Sequence, residues 1–363
     1  MATPQETIWN IKPHTKAKHE ILRRYLGAWF PILAKYNGRI IYIDGFCGPG
    51  RYRDGEPGSP IIALDVARNH RQNMRAELVF YFIDERQDRI DHLEEEVDGI
   101  DRPSNYRLEV KCREFANELK EILDGLEARS LHLAPTFAFI DPFGFKGIPF
   151  DLVERLLRQD GCETFITFMI DSINRFLEHP EESVRNHIIE AFGTDECLRV
   201  GGSGEDRRVA LRALYQKKLN TIAKFVRYFE MRDRNDEPIY YLFFASNHRL
   251  GHVKMKEAMW RVDPDGEFRF SDATNPYQTA LFEIDNTPML ADTIYDQFRG
   301  RIRVRGIVVR MFVEDETAFL DKHKKLALAK LEAEGRLYVE DLKSDGKKRR
   351  AGSYPDDVII NFT

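Results

Sequence analysis

Arg39-Ile40-Ile41-Tyr42-Ile43-Asp44-Gly45-Phe46-Cys47-Gly48-Pro49-Gly50-Arg51-Tyr52 holds four apolar residues in succession, then an acid, then a glycine-rich turn. The apolar run does not alternate with polar residues, which is the pattern of a central parallel strand covered on both faces. Gly45, Gly48 and Gly50 allow tight backbone angles and close approach by a ligand. A buried strand opening into a ligand-binding corner is therefore predicted. The dinucleotide fingerprint fits poorly, because with Gly48 and Gly50 as its first two glycines Arg53 stands where a third must pack helix on strand. A phosphate-binding loop fails as well: four residues separate Gly45 from Gly50, but Arg51-Tyr52 replaces the Lys-Ser/Thr that must follow.

What remains is an acid at a strand end followed by x-Phe-x-Gly-x-Gly. It resembles motif I of the S-adenosylmethionine (AdoMet) methyltransferases. The resemblance implies that Phe46, Gly48 and Gly50 admit the methionine part of the cofactor and that Asp44 receives its ammonium. A turn that only closes a strand–helix corner is the plainer alternative.

Upstream, residues 14–36 repeat apolar side chains at helical spacing, with Pro31 inside the pattern. That helix delivers His14, Lys18 and His19 toward the first strand, where cations can meet a carboxylate or a phosphate; simple solvated surface is the alternative. Downstream, the second strand, 77–85, ends in Asp84-Glu85. In doubly wound sheets an acid at this position accepts the ribose hydroxyls. A third strand covers 106–110, and just past it Arg113 can reach an adenine edge. The fourth strand, 136–140, empties into Asp141-Pro142-Phe143-Gly144. Such a corner lets Asp141 and the Pro142 carbonyl accept both hydrogens of an exocyclic amine while Phe143 stacks on its base, a contact worth about 1–3 kcal/mol. A proline turn with a buried phenylalanine is the alternative. A fifth strand, 164–170, leads to a polar loop at 171–175, and strands 226–231 and 239–245 form a hairpin. His248 and His252 are four apart without an acid or cysteine to complete a set, so no metal is expected.

Strands alternating with helices predict an α/β fold, a Rossmann-like class I methyltransferase sheet with helices on both faces, over residues 1–262. Residues 263–289 read as a polar linker. Residues 290–363 change plan: helices at 290–298, 306–313 and 317–334 precede strands at 336–340 and 357–362, which suggests a winged-helix-like domain. Arg301, Arg303 and Arg305 lie at its start, and Lys347, Lys348, Arg349 and Arg350 in its last loop. These are the candidate nucleic-acid contacts, with a solvated basic surface as the alternative.

Composition bounds the rest. The chain has 363 residues, 42% hydrophobic and 32% charged, with a formal net charge of -5. That balance supports a sizeable core and gives no global attraction to a polyanion, so any such site is local. The four cysteines, Cys47, Cys112, Cys162 and Cys197, form no C-x-x-C pair, which argues against a zinc knuckle or a disulfide framework. No basic-then-apolar leader and no bilayer-length apolar run is present. A cytoplasmic protein with no membrane partner is expected.

With both corners in view, the chain resembles the three-Cys-motif partner protein family (TcmP). The similarity is carried by His14-Thr15-Lys16-Ala17-Lys18-His19, the stretch from Tyr42 to Tyr52, Ile140-Asp141-Pro142-Phe143-Gly144, Ser246-Asn247-His248, and Met255-Lys256-Glu257-Ala258-Met259-Trp260. This resemblance implies a partner encoded elsewhere, a radical-AdoMet-like protein with three cysteines. The front third is also similar to bacterial ribosomal-RNA adenine-N6 methyltransferases, in which a Lys-His helix precedes an Asp-x-x-x-Gly-x-Gly-x-Tyr turn. Those enzymes carry Asp-Pro-Pro-Tyr where this chain has Asp141-Pro142-Phe143-Gly144. The readings left open are an AdoMet-dependent methyltransferase for a nucleic-acid base amine, a non-catalytic scaffold recruiting a protein or DNA, and a methyltransferase for a small molecule or modified nucleotide.

Overall fold

The apolar run of the quoted stretch becomes β1 (Arg39–Asp44), and its neighbours on both sides are parallel strands. The computed structural model describes residues 4–273, 285–341 and 346–363. They divide into two compact units, the first taking residues through 262 together with 269–273, the second taking 263–268 and the rest.

In the first unit, α1 (Pro13–Tyr36) precedes β1, and α2 (Ser59–Arg68) and β2 (Glu77–Asp84) follow it. Next come α3 (Gln87–Asp98), β3 (Tyr106–Cys112), α4 (Phe115–Glu127), β4 (Thr136–Ile140), α5 (Phe150–Leu157) and β5 (Glu163–Phe168). Then follow α6 (Ile170–Phe176), α7 (Glu182–Phe192), α8 (Gly204–Leu219), the hairpin β6 (Phe225–Arg232) and β7 (Pro238–Ser246), α9 (Arg249–Val262) and β8 (Arg269–Ser271). The sheet order is β3-β2-β1-β4-β5-β7-β6-β8, parallel through β5, with β7 antiparallel to both β5 and β6. Through β6 this is the class I methyltransferase order. β4 and β5 are buried along their whole length, as strands covered on both faces must be. α1 runs unbroken through Pro31 and buries Ile21, Leu22, Tyr25, Leu26 and Trp29.

Two expectations change here. Residues 171–175 are not a polar loop but part of α6, because Ile170 and Ile173 sit one turn apart and are both fully buried. Arg269–Ser271, inside the segment read as a linker, pairs in parallel with β6 as the eighth strand. Directly after it, Asp272 accepts the His14 backbone N–H and contacts His14 Nδ1, each at 2.8 Å. The returning segment thus holds the start of α1. Residues 274–284 of that segment lie outside the described residues.

The second unit holds α10 (Thr287–Phe298), β9 (Val304–Arg305), α11 (Gly306–Glu316), α12 (Asp321–Ala333), β10 (Leu337–Val339) and β11 (Ile359–Phe362). β11 lies between β10 and β9, antiparallel to both. Among the described residues, no helix is long and apolar enough to cross a membrane.

Candidate active site

β1 lies between β2 and β4, so the strand order runs outward from it in opposite directions, β2 and β3 to one side and β4 and β5 to the other. Open α/β sheets bind ligands at the carboxyl ends of strands at such a switch point. There the glycine turn, Asp84 and Asp141-Pro142-Phe143 meet around two cavities. The first, about 130 Å³, is lined by Phe46 to Tyr52, by Trp9, Lys18 and His19, by Asp141, Pro142 and Phe143, and by Tyr240. The second, about 290 Å³, is lined by Gly45, Phe46, Asp84, Glu85, Arg89, Glu114 and Phe115 and by residues 142–147. Phe46, Pro142 and Phe143 line both.

The turn needs its glycines. Gly48 and Gly50 have φ of +61° and +83°, and a Cβ on Gly50 would lie 2.9 Å from Leu93 Cδ1. Gly50→Ala is expected to cost about 1–2 kcal/mol of stability from the left-handed backbone alone, read from a denaturant midpoint; an unchanged midpoint would mean that the turn can be rebuilt without glycine. At Gly45 a Cβ would sit 2.6 Å from the Phe115 ring. The bare backbone there lets that ring form a wall of the second cavity.

Asp84 is buried and already partnered. It accepts the Gly48 N–H at 3.1 Å and the Arg86 N–H at 3.0 Å, and Arg89 Nη1 lies 3.6 Å away. Exposed Glu85 stands beside it on the cavity wall. The Arg89 guanidinium is buried over two rings, 4.9 Å from the Trp9 centroid and 5.1 Å from that of Phe143. Trp9 in turn meets Tyr52 and Phe143 edge to face. The Pro4 carbonyl accepts from Arg86 and Arg89, and the Trp9 carbonyl accepts the Arg53 N–H. This leading segment therefore bridges the glycine turn and the start of α3.

At the Asp141-Pro142-Phe143 corner the Lys18 ammonium bonds both Asp141 oxygens at 2.5 Å and lies 5.1 Å from the Tyr240 ring centroid. Burial, with the Lys18 charge beside it, pushes the His19 imidazole down to about 3. His19 is therefore neutral, and its Nδ1 has no partner among the described residues. Asp44 does not line the cavity; fully buried, it lies beneath the turn that does. The Tyr42 hydroxyl donates to Asp44 Oδ2 at 3.2 Å, while Oδ1 has no partner among the described residues. Burial raises the Asp44 carboxyl to about 7, and the Asp141 charge adds to the rise.

Thus Lys18, Phe46, Gly48, Gly50, Asp141, Pro142 and Phe143 share the first cavity, and Asp84 and Glu85 the second. Arg113 lines neither; its guanidinium is 2.8 Å from both Glu118 and Glu121 on α4. Trp9, Arg89 and Tyr240 were not anticipated. Trp9 lies in a short segment, Ile8-Trp9-Asn10-Ile11, too brief to show a period, and Arg89 follows the β2 acids on a charged helix, so neither carries a local signal. Among the described residues no cluster of His, Cys, Asp or Glu suits a metal ion.

In the second unit the basic residues are dispersed. Arg301 lies over the Phe298 ring, Arg303 pairs with Glu340 at 3.2 Å, and exposed Arg305 precedes α11. Lys347, Lys348 and Arg350 are exposed, whereas Arg349 is tied to Glu332 at 2.8 Å. Residues 342–345 of that basic loop lie outside the described residues.

No protein-family model and no curated protein matches the chain. Among solved structures it is similar to protein LPL1258 from Legionella pneumophila, at 13% identity and a TM-score of 0.39, over 65% of this chain and 85% of that one. It is similar to Trm1 from Pyrococcus horikoshii, solved with S-adenosyl-L-methionine, at 14% and 0.37, over 69% and 60%. It is also similar to human methyltransferase-like protein 13, solved with SAH, at 7% and 0.37, over 75% and 98%. The class I assignment rests on the strand order of the sheet itself.

Proposed function

We propose that this chain is an AdoMet-dependent methyltransferase acting on a nucleic-acid base amine. One observation carries the reading: a left-handed glycine turn, the Asp84-Glu85 pair and the Asp141-Pro142-Phe143 corner converge at the switch point of a class I sheet. The residues fit the cofactor in kind. Asp84, Glu85 and Phe115 suit a ribose and adenine in the second cavity, and the glycine turn over Asp44 suits the methionine end in the first. Bound there, AdoMet supplies an electrophilic methyl group.

The protein's own part is positioning. Asp141, held by Lys18, is a carboxylate that accepts hydrogens and donates none, so with the Pro142 carbonyl it orients an amine for in-line attack. His19, pushed down to about 3, is a poor proton acceptor. No strong base is needed if the amine loses its proton after attack. A second reading, a small molecule or modified nucleotide as acceptor, is favoured by the Phe143 ring, which already packs against Trp9 and Arg89.

The C-terminal unit has the helix–strand–helix–helix–strand–strand order of a winged helix, which supports a nucleic-acid role for it. The three-Cys partner belongs to this proposal through the family resemblance alone.

Titration calorimetry with AdoMet tests the cofactor claim: binding heat is expected, and its absence from folded protein would remove the claim. The Asp44 carboxyl, raised to about 7, is mostly protonated at pH 5.5. A cation held over the turn favours the ionised form, so binding should release a proton and affinity should rise between about pH 5.5 and 7.5. A flat or falling profile would remove Asp44 from the cofactor's surroundings. In the free protein the sign is opposite: stability from this raised group is full below its unfolded value near 4 and is lost as pH rises through about 7.

A further inference from the structure

The second unit carries a surface outside the arginine-rich start of that unit. α11 and α12 are joined by residues 317–320, the length of a helix-turn-helix corner. α12 buries Lys324, Ala327, Leu328 and Leu331 and turns Lys322, Lys325 and Leu326 outward, with Leu326 59% exposed. Lys322, Lys325 and Leu326 follow the one-face spacing of a helix, and Ala329 continues their stripe. Lys322 and Lys325 form no ion pair among the described residues. Two turns beyond Lys325 the stripe meets Glu332, whose charge is answered by Arg349 at 2.8 Å and by the Tyr354 hydroxyl. That contact fastens to the helix the loop bearing exposed Lys348 and Arg350.

We propose that this face, the outward stripe of α12 with Lys348 and Arg350 beside it, docks double-stranded DNA through the major groove. A helix with its side chains is about 10–12 Å across and the B-form major groove about 12 Å wide, whereas the A-form RNA major groove is too narrow to enter. Unpaired lysines suit phosphates, and the exposed leucine beside them suits a thymine methyl. Arg303 is a weaker candidate because Glu340 already neutralises it. The inference rests on the nucleic-acid part of the proposed function and narrows it to DNA; it does not depend on the cofactor.

The test is fluorescence anisotropy of the full chain with a labelled DNA duplex at several salt concentrations. Lys322→Glu with Lys325→Glu should weaken binding roughly tenfold or more, and Lys322→Gln with Lys325→Gln should lower the salt slope by about 2. Arg301→Gln with Arg303→Gln should change less. Thermal melts matching the parent protein's keep misfolding from imitating the effect. Parent-like binding by the α12 variants, equal affinity for duplex RNA, or no duplex binding at low salt would each overturn the proposal. AdoMet heat without DNA binding would sink this inference alone, and DNA binding without AdoMet heat would sink the methyltransferase reading alone.

Discussion

Asp141→Asn is expected to slow methyl transfer by about a hundredfold or more while AdoMet still binds. The substitution keeps the shape of the corner but swaps one accepting oxygen for a donor, and misplacing an acceptor amine by about 1 Å costs on the order of a hundredfold. The measurement is a single-turnover transfer of labelled methyl to nucleic acid, paired with cofactor calorimetry on the same preparation. Undiminished transfer would show that Asp141 does not orient the acceptor. If the parent protein transfers nothing and Asp141→Ala preserves the cellular effect, the scaffold reading gains instead.

The second large effect concerns stability and is unequal between the two partners of one ion pair. The Lys18 side chain is 5% exposed and that of Asp141 21%. Removing one partner of a buried pair costs about 3–5 kcal/mol, because a charge is left without compensation. Asp141→Asn strands the more deeply buried charge, so its cost should fall near that range. Lys18→Met leaves a carboxylate that water partly reaches, and about 1–3 kcal/mol is expected after that screening. Lys18→Met combined with Asp141→Asn should be more stable than Asp141→Asn alone. Denaturant midpoints of the three variants decide the point, and strictly additive losses would mean that the pair contributes no coupling.

The sheet was legible because its strands are long and covered on both faces, so unbroken apolar runs such as 40–43 and 137–140 identify them without help from the rest of the chain. β8 was not, because three residues carry too little pattern and its place is set by backbone pairing with β6. In 170–176 two buried isoleucines among polar residues are too short a signal to separate a helix from a loop. At the site, residues next to strand ends could be placed by topology alone, and Asp84 and Asp141 stand at the strand ends beside the two cavities. Side-chain direction could not be read that way. Arg113 follows β3 as expected, yet its charge is drawn to Glu118 and Glu121, whose partnership is visible only once α4 is built. Trp9 and Tyr240 reach the first cavity from distant parts of the chain, a proximity that no local spacing encodes.

The hold of Asp272 on His14 bears on how this protein can be dissected. A cut at Val262, the natural place by composition, would discard the last strand of the first unit's sheet and the carboxylate that fastens the helix carrying Lys18. The first unit is therefore not a continuous cassette. Any graft that swaps the C-terminal module for another has to be joined beyond residue 273, and a shorter fragment would answer questions about a helix that has lost its mooring.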